Sequence, residues 1–164
     1  MTHVYLLDSP LGRLALAGSD ATLTQLALPG DELPADATPG TTAVLEEAAA
    51  QLRAYFAGSS APFDVPLDHS GQPPFTAAVL RELARVGYGE TLSYGQLAAR
   101  AGQPAAVRAV GNACARNRLP LFVPCHRVVR SDGTLGNYRG GLAAKHWLLE
   151  LEAGSGTQPG PAAV

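Results

Sequence analysis

The stretch Asp68-His69-Ser70-Gly71-Gln72-Pro73-Pro74 most limits what this 164-residue chain can become. Its glycine and paired prolines break helices and strands alike, so no regular element runs through it. It reads as a linker, with His69 a solvated loop residue, and the two sides of it differ in kind. Residues 1–70 carry two basic groups, Arg13 and Arg53, against nine acids, a balance of −7. Residues 71–164 carry ten basic groups against five acids, a balance of +5. The whole-chain charge of −2 therefore hides a basic half, an asymmetry that suggests that one half meets a polyanion. We expect a domain over 1–70, a second over 71–153, and a disordered tail of small residues, proline and glycine over 154–164.

The first half is patterned for strands. His3 to Leu7, Gly12 to Ala17 and Thr22 to Leu28 are short runs rich in Val, Leu, Tyr and Thr, separated by turn residues, and predict an antiparallel meander. Pro29 to Gly40 is read as a loop. A helix is expected from Thr41 or Thr42 to about Ala57, with Val44, Leu45, Ala48, Leu52 and Tyr55/Phe56 on one face.

The second half is patterned for helices. One runs from Phe75 to about Val86. Ser93-Tyr94-Gly95-Gln96 fits a capping box that opens a short helix to about Ala101. Gly102-Gln103 makes a turn, and Pro104 at a first helical position starts a second helix to about Arg116. Two helices on a glycine-containing turn are a helix-turn-helix signature. Val107, Val110 and Cys114 are spaced to pack inward, while Arg108, Gly111, Asn112 and Ala115 share another side. A major-groove reader presents several long polar side chains. This helix offers one arginine among alanines and glycine, a smooth surface suited to a narrow minor groove. The last helix spans Leu142 to about Glu152, with Ala144, Trp147, Leu148 and Leu151 inward and Lys145 and His146 on the surface.

No apolar stretch approaches the roughly 18 residues of a membrane span. With no basic-then-apolar leader pattern at the N-terminus, a cytoplasmic protein is expected. Cys114 and Cys125 are the two cysteines, and neither sits in a Cys-x-x-Cys or His/Cys cluster, so a structural zinc site is not expected.

Val123-Pro124-Cys125-His126-Arg127-Val128-Val129 places a thiol beside an imidazole and a cation. Pro124 biases Val123 towards an extended shape, which puts Cys125 at a strand end or sharp turn. Cysteine is a nucleophile as its thiolate, a form favoured by nearby cations such as Arg127 and Arg130 and by a base such as His126. Cysteine is also among the most buried residue types, so a packing role stands beside the chemical one until distant residues decide.

Those residues exist. Pro124-Cys125-His126-Arg127, Ser93-Tyr94, Arg108-Ala109-Val110-Gly111, Asn117 eight positions before the cysteine, Gly136-Asn137-Tyr138, and Gly141-Leu142-Ala143-Ala144-Lys145 opening a helix that ends at Glu152 occur in order. The chain resembles the O6-alkylguanine-DNA alkyltransferases, loosely from about Asp8 and closely after Gly89. The resemblance implies an α+β fold. Its N-terminal domain has a ribonuclease H-like antiparallel sheet, and its mostly helical C-terminal domain holds a winged-helix-like helix-turn-helix.

By the same resemblance, Cys125 is the alkyl acceptor, and His126 takes its proton through a water. Glu152 orients His126, and Asn117 ties the preceding turn to the helix-turn-helix. The Tyr138 hydroxyl meets guanine N3 and the amide of Arg139 meets O6, while carbonyls of Cys125 and Val128 meet the exocyclic amine. Arg139 stands where the family often has serine and is expected to reach a phosphate. Arg108 fills the space of a flipped-out nucleotide and Tyr94 presses on the adjoining phosphate. The implied partner is double-stranded DNA carrying O6-alkylguanine, with O4-alkylthymine as a second lesion, bound through the minor groove by a monomer. No metal or cofactor is implied, and no membrane.

Three other classes make different demands on the residues. An alkyltransferase-like lesion binder lacks the acceptor cysteine. A cysteine hydrolase built on Cys125 and His126 needs turnover and an oxyanion hole. A transcription regulator needs more base-reading side chains than Arg108 and Asn112.

Overall fold

A computed structural model of the protein describes residues 1–154. Its contacts divide the described residues into two compact units, Met1–Asp68 together with 150–154, and His69–Leu149. The tail expected over 154–164 lies, past Gly154, outside the described residues.

In the first unit, β1 (His3–Ser9), β2 (Gly12–Gly18), β3 (Leu23–Ala27) and β4 (Thr38–Pro39) form one sheet in the order β3-β2-β1-β4. The meander β1-β2-β3 is antiparallel, as the three runs predicted, with Leu7 opposite Leu14 and Leu16 opposite Leu26. Ser9 closes the first hairpin: its Oγ donates to the carbonyl of Gly12 at 2.6 Å and accepts from the amide of Leu11 at 3.1 Å. β4 corrects the reading of residues 29–40 as plain loop. Thr38 and Pro39 pair in parallel with His3 and Val4. Proline has no N–H to give a ladder, and it is tolerated here because the strand lies at the sheet edge.

Helix α1 (Ala43–Phe56) packs on β2. Thr42 is its N-cap, accepting from the amide of Leu45 at 3.2 Å and donating to the carbonyl of Ser19 at 2.9 Å. Leu45, Ala48, Ala49, Leu52 and Tyr55 are buried at helical spacing. Val44, predicted inward, is only half-buried, and Ala49 takes its place.

In the second unit, α2 (Pro74–Leu83) buries Thr76, Val79, Leu80 and Leu83. It stops short of Val86 because the chain winds more tightly after Leu83, with the amides of Arg85 and Val86 bonding three residues back. The predicted capping box is present at α3 (Tyr94–Arg100): Ser93 Oγ accepts from the Gln96 amide at 3.0 Å and Gln96 Oε1 accepts from the Ser93 amide at 2.8 Å.

Helix α4 is Val107–Ala115 and does not start at Pro104. The amide of Ala106 closes a turn on the carbonyl of Gln103 at 2.9 Å, so Pro104 and Ala105 occupy the middle of that turn. The later start moves the buried face to Val110 and Ala113 and leaves Val107 44% exposed, against the prediction that it packs inward.

Two short strands went unread in the sequence. β5 (Leu92–Ser93) pairs in parallel with β6 (Val128–Val129). β5 runs straight into α3, and β6 follows straight after a 3₁₀ turn at Cys125–Arg127. This pairing, two residues wide, therefore fixes the start of α3 relative to the thiol. Helix α5 is Leu142–Glu152, with Ala144, Leu148 and Leu151 buried. Its neighbour Lys145, predicted on the surface, is fully buried. Among the described residues no helix is long and apolar enough to cross a membrane.

Candidate active site

The second unit holds a cavity of about 640 Å³. Its walls come from Tyr94 on α3, from Arg108, Gly111 and Cys114 on α4, and from Tyr138 and Arg139 on the loop after β6, with Cys125 among them. The predicted polar side of α4 is the cavity side: Arg108, Gly111, Asn112 and Ala115 all line it. Gly111 has open space where a Cβ would stand, so nothing projects from that part of the wall.

Cys125 is 8% exposed, at a sharp turn as predicted, and its amide bonds the carbonyl of Val123 at 2.8 Å. The turn before it is held by Asn117, a buried residue. Asn117 Nδ2 donates to the carbonyl of Val123 at 2.8 Å, and Oδ1 accepts from the amide of Leu119 at 3.0 Å. Between them Leu121 adopts a left-handed φ of 72°, the lone non-glycine to do so among the described residues. A left-handed leucine carries local strain, which the Asn117 bonds on either side hold in place.

Burial pushes the Cys125 thiol up, against the Asn117 amide and the charges of Arg139 and Lys145, which pull it down. The resting group is therefore a thiol, and the site needs a base to make it a nucleophile. The cations differ from those the sequence suggested. Arg127 is buried and donates to the carbonyl of Val86 at 2.6 Å, with its guanidinium 6.0 Å from the Tyr88 ring, so it anchors the turn. Arg130 lines the cavity wall.

Lys145 is a buried neighbour of the cavity that the sequence reading places on the surface. Its Nζ donates to the carbonyl of Val128 at 2.6 Å and to that of Asn137 at 3.1 Å, and lies 5.8 Å from the Tyr94 ring. One buried ammonium thus ties α5 to both segments that flank the cavity. Its burial lowers its own pKa, while the two thiols pull the other way. A signal existed: Lys145, Leu148 and Glu152 follow helical spacing, so Lys145 shares the face of an inward leucine. Val128, predicted to offer its carbonyl to a purine amine, already accepts there from Lys145.

Tyr94 is half-buried, and its Oη reaches the carbonyl of Asn137 at 3.5 Å. Burial raises its pKa. It crosses Gly136, where φ is 72° and an added Cβ would stand 2.9 Å from Oη, so glycine is required by backbone shape and by space. Arg108 is exposed at the cavity wall, and Tyr138 is half-buried. Arg139, expected to reach a phosphate, is exposed, and its guanidinium donates to the carbonyls of Asn117 at 2.7 Å and Ala115 at 3.4 Å at the end of α4. Cys114 also lines the cavity, and burial with the neighbouring Cys125 pushes its thiol up to about 12.

His126 and Glu152 are both buried. Glu152 belongs to the first unit, where the Tyr55 hydroxyl of α1 donates to its Oε2 at 2.5 Å. Among the described residues no group of three or more His, Cys, Asp or Glu is gathered as a metal site would need.

Both halves of this arrangement match known families. Residues 3–69 match the ribonuclease-like domain of 6-O-methylguanine DNA methyltransferase, and residues 74–154 match its DNA-binding domain. The two matched domains together define a 6-O-methylguanine DNA methyltransferase of the two-domain type. The human methylated-DNA–protein-cysteine methyltransferase is 45% identical over 94% of this chain and 82% of its own length. Its Mycobacterium bovis counterpart is 43% identical over 93% of each chain. The crystal structure of Mycobacterium tuberculosis OGT in complex with DNA superposes with a TM-score of 0.87, at 43% identity and 93% coverage of both chains. This chain belongs to the O6-alkylguanine-DNA alkyltransferase family, the methylated-DNA–protein-cysteine methyltransferases.

Proposed function

We propose that this protein repairs O6-alkylguanine in double-stranded DNA by moving the alkyl group, once, onto Cys125. The observation that carries the reading is the placement of Cys125 in a cavity walled by Tyr94, Arg108, Tyr138 and Arg139. His126, through a water, takes the thiol proton, and Glu152 orients the imidazole and stabilises its charged form. The sulfur attacks the alkyl carbon in line. The S–C bond forms as the C–O6 bond breaks, and the electron pair passes to the purine. The Tyr138 hydroxyl at N3 gives its proton to the departing guanine while the amide of Arg139 at O6 offsets the charge there, and the phenolate regains a proton from water as the imidazolium of His126 releases the one it took. The carbonyls of Cys125 and Val128 hold the exocyclic amine. Every atom is accounted for without metal or cofactor.

The reacting carbon is out of reach inside a duplex, so the nucleotide rotates out. Arg108 enters the stack it leaves, and Tyr94 presses on the adjoining phosphate after releasing its long contact to Asn137. The small residues of α4 let the helix approach a minor groove closely. The same displacement reaches the alkyl group of O4-alkylthymine. Residues 1–70 act as support and 71–153 as the working domain, in a monomer. The product is a thioether that nothing in the chain cleaves, so each molecule acts once. The acceptor must stay reduced until used, which suits the cytoplasm.

Incubation with O6-benzylguanine followed by intact mass tests this in one measurement. One benzyl group per chain, localised to Cys125 by peptide mapping, is expected. Catalytic turnover without protein modification would instead indicate a hydrolase.

A further inference from the structure

The turn that presents the acceptor thiol is held from two sides. From within, the Asn117 side chain bonds Val123 and Leu119 and lowers the thiol pKa as a hydrogen-bond partner. From without, one guanidinium nitrogen of Arg139 bonds the Asn117 carbonyl at 2.7 Å and the Ala115 carbonyl at 3.4 Å. The last carbonyls of a helix lack intrahelical partners, and a cation placed there meets both the orphaned oxygens and the negative end of the helix dipole. Here the helix is α4, which walls the cavity, and the cation comes from the loop on the cavity's other side.

We infer that Arg139 is a positioning residue for the acceptor thiol, clamping the end of α4 and the Asn117 backbone so that the Asn117 side chain and the turn carrying Cys125 stay in register. The inference rests on the proposed role of Cys125. It gives the Arg139 side chain a task that the proposed backbone contact to O6 does not use. Because its guanidinium faces Asn117, its charge also acts on the thiol. The other charged or titratable groups around Cys125 are Arg108 and Cys114 on α4, Tyr94 on α3, Lys145 on α5, Arg130 and Tyr138 after β6, and the adjoining His126. Of these, Lys145 also pulls the thiol down and stays in place when Arg139 is removed, so the loss will be partial.

The test is the pH–rate profile of Cys125 alkylation by iodoacetamide, read by peptide mass spectrometry, with amide hydrogen exchange over residues 117–125. Wild type is compared with Arg139→Ala and Arg139→Lys, each first checked by thermal melting. We expect Arg139→Ala to shift the profile to higher pH and to slow labelling near neutrality roughly three- to tenfold. Exchange over 117–125 should quicken, and Arg139→Lys should restore the pH midpoint in large part. Should Arg139→Ala not fold, Arg139→Gln, neutral and of similar reach, carries the same expectation. An unchanged profile and unchanged exchange would overturn the inference. So would a defect confined to repair in duplex DNA, which would mean that Arg139 serves a phosphate. Failure of wild type to take benzyl from O6-benzylguanine would strike the proposed function alone, since iodoacetamide labelling reads Arg139 independently.

Discussion

The hydroxyl of Tyr55 on α1 donates to the carboxylate of Glu152 at the end of α5 across 2.5 Å, joining residues 97 positions apart in sequence. Both are buried, Tyr55 at 2% and Glu152 at 7% exposure. A buried carboxylate that loses a donor keeps its desolvation penalty. Tyr55→Phe should therefore destabilise the protein by about 1–3 kcal/mol in chemical denaturation. Glu152→Gln removes the charge and with it the proposed support for the imidazolium, so it should slow transfer to Cys125 more than Tyr55→Phe does. Equal rates in wild type and Glu152→Gln would remove Glu152 from the mechanism.

Asn117 has both ends of its side chain engaged inside the protein, so truncation strands the Leu119 amide and leaves the Val123 carbonyl with the Cys125 amide as its partner. An unsatisfied buried group costs about 1–3 kcal/mol and a lost hydrogen bond about 0.5–1.5 kcal/mol, so Asn117→Ala should lose roughly 2–4 kcal/mol in all. The strained Leu121 turn should become the fastest-exchanging part of its neighbourhood. A variant of native stability would show that the turn is held by packing alone.

Arg108 is exposed at the cavity wall. If it fills a vacated base stack, Arg108→Ala should slow repair of modified duplex by tenfold or more, on the order of the few kcal/mol that unstacking requires. Reaction with the free modified base should keep its rate. Equal slowing of both substrates would take away its part in nucleotide extrusion.

Alkaline stability follows from Cys114. Its folded pKa of about 12 lies above the ordinary 9.0 because burial, then Cys125, disfavours the thiolate. The folded state then holds the proton more tightly than the unfolded one. The contribution is complete below pH 9 and drains away as pH climbs towards 12. Cys114→Ala should flatten the fall of melting temperature over that range. Identical alkaline melting curves for the two proteins would show that the thiol is not desolvated.

Local order was written in the sequence. The Ser93-Gln96 capping box, the β1-β2-β3 meander and a helix start at Thr41 or Thr42 depend on neighbours close in sequence, and each is legible in spacing. The two sides of the break at 68–74 differ in charge. Chain folding decided what sits beside the thiol. Arg127 is two positions away yet bonds Val86, whereas Lys145 and Arg139, 20 and 14 positions away, supply the charge. The β5–β6 pair, the late start of α4 and the burial of Lys145 likewise belong to tertiary structure. The physical reason is range. Capping and turn formation are settled within a few residues, while electrostatics and burial depend on distance in space, which sequence separation does not measure.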